Sequence, residues 1–164
     1  MEINKKITDA FNGQLKEEYY ASYLYLSMAA YFEDQNLPGF AGWMKVQSTE
    51  ELKHAMKFYK HIIERNGRVI LAQIDKPKSE WSSPAEAFED AYKHEQKVTS
   101  LINDLVKLAR DEKDYAAEVF LHWFIDEQVE EEEQTRNILD TLKFVGDSKQ
   151  ALIMLDRELG KREK

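Results

Sequence analysis

The chain has 164 residues, a formal net charge of −8, 43% hydrophobic and 33% charged residues, and no cysteine. That length suits one domain, 1–164, around a single sizeable core. The lack of cysteine excludes disulfides, zinc ribbons, rubredoxin-like sites and thiol catalysis, and the acidic balance argues against nucleic acid as a partner, which needs a basic patch to displace counterions. The start, Met1-Glu2-Ile3-Asn4-Lys5-Lys6, is not an apolar leader, and no run of about 18 apolar residues follows, so a cytoplasmic protein without a membrane partner is expected.

Three prolines and six glycines leave room for long helices. The first is predicted over 4–34, where Ile7, Phe11, Ala21, Tyr25, Met28 and Phe32 recur at helical spacing and the same register takes in Gln14 and Glu18. Asn36-Leu37-Pro38-Gly39 makes a turn, with Pro38 near the first position of a second helix over 39–66. Its stripe is Phe40, Met44, Gln47, Glu51, His54, Phe58 and Ile62, and Gly67 is expected as its left-handed cap. After a connection over 67–83, Ser83 reads as the N-cap and Pro84 as the first residue of a third helix, 84–110. That helix carries Phe88, Ala91, Glu95, Val98, Ile102, Leu105 and Ala109 on one stripe. The polar break Asp111-Glu112-Lys113-Asp114 precedes a fourth helix, 114–144, with the stripe Phe120, Trp123, Glu127, Glu131, Gln134, Ile138 and Leu142. Gly146-Asp147-Ser148 then separates a short fifth helix, 148–159.

The two tight turns make antiparallel hairpins. The second helix spans about 42 Å, and the connection after it reaches up to ~56 Å when extended. It is therefore long enough to run the length of the molecule and start the third helix parallel to the second. The predicted fold class is all-α: a four-helix bundle with one long crossover and a short fifth C-terminal helix.

Each long helix places a carboxylate in the stripe that faces the core. Burying one unpaired carboxylate is costly and a cluster of them repels itself; a bound cation is the simplest remedy. Counted from the turns, Glu18 and Glu51 stand within roughly 4–5 Å of the same height, and Glu95, Glu127 and Glu131 fall near that level too. Glu51 and His54 add a carboxylate and an imidazole at i, i+3 on one face. Many oxygens, one nitrogen and no sulfur suit iron or manganese better than structural zinc. Taken singly, each residue has a plainer reading: the run Glu130 to Glu133 suits a solvated face, His54 a satisfied core histidine, and Tyr25 and Trp123 ordinary core aromatics. The joint pattern on four helices at one level is what points to a metal site.

The stretches Glu18-Tyr19-Tyr20-Ala21-Ser22-Tyr23-Leu24-Tyr25, Glu50-Glu51-Leu52-Lys53-His54-Ala55-Met56, Glu95 and Phe120 to Glu132 resemble the prokaryotic non-haem ferritins, members of the ferritin-like di-iron carboxylate family, along essentially the whole chain. The resemblance implies a ferroxidase that oxidises Fe(II) with dioxygen and stores the ferric product in a hollow homo-oligomeric shell of 24 subunits, with the fifth helix lining four-fold axes. It gives Glu18, Glu51 and His54 to a first iron. Glu51 bridges to a second iron that Glu95 and Glu131 complete, with Gln128 nearby and Tyr25 beside the pair as an electron donor. A third iron site would use Glu50, Glu127, Glu130 and Glu131. Bacterioferritins and rubrerythrins have a second Glu-x-x-His, whereas Gln134 follows Glu131 here. Bacterioferritins also place a haem-ligating methionine where this chain has Leu52, so no haem is expected. There are two rival readings: a smaller Dps-like cage, whose site forms between subunits and which the complete ligand set within one bundle and the fifth helix disfavour, and an inert helical interaction module.

Overall fold

The computed structural model describes residues 1–162, so positions 163–164 of the expected domain lie outside the described residues. The chain forms α1 (Lys5–Asp34), α2 (Pro38–Glu64), α3 (Pro84–Asp111), α4 (Tyr115–Val145) and α5 (Lys149–Leu159). It is an all-α bundle of four long helices with a short fifth, and the ends agree with the predicted ones to within about two residues. Asn4, Ser83, Asp114 and Ser148 cap α1, α3, α4 and α5 by accepting from the N–H groups of Ile7, Glu86, Ala117 and Ala151. Pro38 and Pro84 open α2 and α3, where a missing N–H costs nothing. The left-handed residue closing α2 is Asn66 (φ 57°), not Gly67 as the sequence suggested. Asparagine tolerates that conformation. Glycine at 67 answers a packing need instead, since a Cβ there would stand 2.8 Å from Ile3 Cγ2 and 2.9 Å from Ile62 Cγ2.

The crossover between α2 and α3 lies along α1. Asn12 donates to the Arg68 carbonyl at 3.0 Å and accepts from the Ile70 N–H at 2.8 Å. Further on, Lys16 meets Asp75 at 3.7 Å and Ser27 donates to the Lys78 carbonyl at 2.7 Å. The strap thus climbs α1 from the level of residue 12 to that of residue 27, a rise of about 22 Å, and delivers α3 parallel to α2.

The bundle holds two hydrophobic cores rather than one. Ile7, Phe11, Phe58, Ile102, Leu121 and Phe124 belong to one of them, and Met28, Phe32, Phe40, Met44, Phe88 and Leu142 to the other. Between them lies a buried polar layer of Gln14, Glu18, Gln47, Glu51, His54, Glu95, Gln128 and Glu131. The predicted stripes on α1, α2 and α3 are the buried ones. On α4 the predicted stripe is displaced by about one residue: the buried face is Ala117, Leu121, Phe124, Gln128, Glu131, Thr135, Leu139 and Leu142. Gln134 is exposed, and Trp123 is 38% exposed at the bundle edge. Among the described residues no helix is long and apolar enough to cross a membrane.

Candidate metal centre

Glu18 comes from the middle of α1, Glu51 and His54 from successive turns of α2, Glu95 from α3 and Glu131 from α4; all five are buried. One donor atom each from Glu18, Glu51 and His54 lies within 4.8 Å of the others, and the same holds for Glu51, Glu95 and Glu131. Glu51 belongs to both groups. His54 Nδ1 stands 3.2 Å from Glu51 Oε2 and 3.9 Å from Glu18 Oε2, so one ring nitrogen faces both carboxylates of its group.

Amides fix these carboxylates. Gln14 Nε2 donates to Glu18 Oε1 at 2.8 Å, while Gln47 Nε2 donates to Glu51 Oε1 at 3.0 Å and to Glu131 Oε2 at 2.6 Å. Gln128 Nε2 reaches Glu95 Oε2 at 3.2 Å and Thr99 Oγ1 at 3.3 Å, and the Tyr25 hydroxyl donates to Glu95 Oε1. Burial, and then the charge of neighbouring carboxylates, pushes Glu18, Glu51, Glu95 and Glu131 from 4.5 up to about 8. Burial also drives the Tyr25 phenol well above its ordinary range, with Glu95 the next cause.

The residues fit a pair of cations. Glu18 Oε2 and Gln47 Oε1 are buried with no hydrogen-bond partner among the described residues, and four carboxyls share one dry layer with a single imidazole. Such a set is unsatisfied until positive charge joins it.

A ferritin-like domain matches residues 8–145 of the chain. It belongs to the ferritin family. A bacterial non-heme ferritin of Bacteroides fragilis is 42% identical over 160 residues, covering 98% of this chain and 99% of that one. One from Staphylococcus saprophyticus is 41% identical over 160 residues, covering 98% and 96%. Among solved structures, the open pore ferritin of the archaeon Archaeoglobus fulgidus superposes with a TM-score of 0.98 at 48% identity, covering 99% of this chain and all of that one.

In this member of the ferritin family, a further group joins His54, Glu127 and Glu131, whose donor atoms also lie within 4.8 Å of one another. His54 Nε2 is 3.7 Å from Glu127 Oε1. The other two residues expected at a third site fall outside this group: Glu130 is exposed on α4, and Glu50 is paired with Arg162. Sequence reasoning gave no role to Gln14 or Gln47, although both stood in apolar stripes four positions before a buried glutamate. It missed Thr99 and Arg162 altogether. Trp123 packs edge-on against His54 at 5.3 Å, with Lys57 Nζ 3.9 Å above its ring.

Proposed function

We propose that this chain is an iron-storage ferroxidase: it oxidises Fe(II) with dioxygen at a two-iron centre inside each subunit and keeps the ferric product within a 24-subunit cytoplasmic shell. The observation that supports this most directly is that Glu51 is common to two groups of three buried donors. In this reading Glu18, Glu51 and His54 hold one Fe(II), and Glu51, Glu95 and Glu131 hold the other. Two Fe(II) held side by side supply two electrons to one dioxygen, which a lone ion does not.

The protein's part is placement and proton handling. Gln14, Gln47 and Gln128 aim the carboxylates, as partners behind metal ligands generally do. The protons that the four carboxyls carry near neutral pH leave as cations enter, so the centre exchanges charge for charge. Tyr25 is proposed as an electron donor to the centre, a role supported by its hydrogen bond to Glu95. Glu127, with Glu50, Glu130 and Glu131, is proposed as a third, outer iron site.

Stopped-flow absorbance on mixing with aerobic Fe(II) tests the centre. Glu51→Ala and His54→Ala are expected to slow the first oxidation burst by about 100-fold or more while helicity, read by circular dichroism, is unchanged. Wild-type rates in both variants would remove the assignment. Light scattering tests the shell independently: a monomer at every concentration and salt level would remove storage but leave the oxidase chemistry.

A further inference from the structure

Glu50 stands one position before Glu51 and so points about 100° away around α2. Its partner comes from the other end of the chain. Arg162 Nη2 donates to Glu50 Oε2, and the guanidinium lies over the Trp43 ring with 4.4 Å between guanidinium carbon and centroid. Trp43 and Glu50 are two helical turns apart on one face of α2, and helical side chains lean toward the N-terminus, which tilts Glu50 toward Trp43. One arginine can therefore stack on the first and pair with the second.

The arm that carries Arg162 is firmly seated. The Phe40 N–H donates to Asp156 Oδ1 at 2.9 Å, and α5 packs so tightly on the start of α2 that a Cβ at Gly39 would stand 1.7 Å from the Asp156 carbonyl oxygen. The Arg162 side chain is 18% exposed and that of Glu50 34%, against 86% and 59% for the surface pair Lys5–Asp9. Arg162 Nη1 is buried with no partner among the described residues. Its placement thus forgoes a hydrogen bond that solvent would supply, and what it receives in return is Glu50 and Trp43.

Glu50 is not electrically remote from the metal centre, since its charge is among those that bear on Glu51 and Glu131. We propose that Arg162 is a tethered competitor for cations at Glu50: a divalent ion reaching this outer carboxylate must first displace the guanidinium of the C-terminal arm. The inference rests on reading Glu18, Glu51, His54, Glu95 and Glu131 as the two-metal centre, and it deepens that reading by giving the outer site its own built-in counter-ion. The outer site is then held weak, which suits a place that passes ions on.

Anaerobic Mn(II) titration of the assembled protein, with free Mn(II) counted by electron paramagnetic resonance, tests this without any oxidation step. Wild type and Arg162→Gln are expected to take the same two tight ions per subunit, while Arg162→Gln binds one further ion about tenfold more tightly than wild type does. Arg162→Lys, which keeps the charge and loses the stacked fork, falls between. The double variant Glu50→Gln/Arg162→Gln is expected to lose the gain. Equal outer affinity in wild type and Arg162→Gln, with the two tight ions intact, overturns the competitor and leaves the centre standing. A gain that survives in the double variant overturns it as well, because the effect then does not run through Glu50. Absence of the two tight ions from wild type overturns the inference and the proposed function together.

Discussion

Glu18, Glu51, Glu95 and Glu131 keep their protons up to about pH 8 because each is dry and faces other carboxylates. In the unfolded chain they lose those protons near 4.5. The folded state therefore binds more protons than the unfolded state across this window, and stability must fall as pH rises through it. Below pH 4.5 these four groups contribute no pH dependence, and above about 8 their full penalty is present. Metal-free protein is accordingly expected to melt at a lower temperature at pH 8 than at pH 5.5, with Glu18→Gln flattening the slope. Differential scanning calorimetry on chelator-treated samples reads this; a metal-free melting point that rises over that interval would contradict the placement of the four carboxyls. The same protons appear on loading. Anaerobic Zn(II) addition should release more acid at pH 7 than at pH 9, as a pH-stat measures.

Among the elements, α4 is where sequence and structure part company. Phe120, Leu121, Trp123, Phe124 and Ile125 follow one another so closely that periodicity offers two registers, one through Trp123, Glu127 and Gln134 and the other the buried one. What decides between them lies outside the helix: Phe58 packs with its ring centroid 4.5 Å from that of Phe124, tilted by 36°, whereas Trp123 is left at the edge beneath Lys57. On α3 polar residues flank the apolar stripe cleanly, and on α1 and α2, despite exposed apolar residues such as Tyr23, Leu26, Leu52 and Met56, the stripes keep a single register, so the burial of Glu18, Glu51, His54 and Glu95 was legible from spacing. Glu131 is common to both α4 registers and was found either way. The Glu50–Arg162 pair joins chain segments with no shared local pattern, so no spacing rule points to it. Arg65 and Asp114 are a similar long-range pair that ties the end of α2 to the start of α4, with contacts of 2.8 and 3.0 Å, and Asp114 also caps Ala117. Asp114→Ala leaves the buried guanidinium with only the Met1 and Glu2 carbonyls and no counter-charge, and it uncaps α4, so a loss of about 3–5 kcal/mol is expected by chemical denaturation. A loss below about 1 kcal/mol would mean that water reaches Arg65 freely.

At the scale of the whole molecule, the polar layer divides the bundle into two apolar cores that meet across a band of buried carboxyl and amide groups. In the metal-free state this layer opposes folding, so an apolar replacement should help: Glu18→Leu is expected to raise metal-free stability by about 1–4 kcal/mol, as when other buried charges give way to hydrophobic groups. Added Zn(II) should stabilise the wild type more than the variant, because the ion binds only the folded layer. Destabilisation of metal-free Glu18→Leu by an amount typical of a core cavity would show that Glu18 does not face the cluster.

That layer also bears on how long a subunit lasts. Proteases cut a compact bundle only during its rare openings, and the frequency of opening follows the stability of whatever closes it. If the proposed function holds, a bundle whose middle is completed by bound metal opens less often when filled than when empty. Turnover is then expected to fall hardest on subunits that hold no metal, so that the lifetime of the protein would record what it carries.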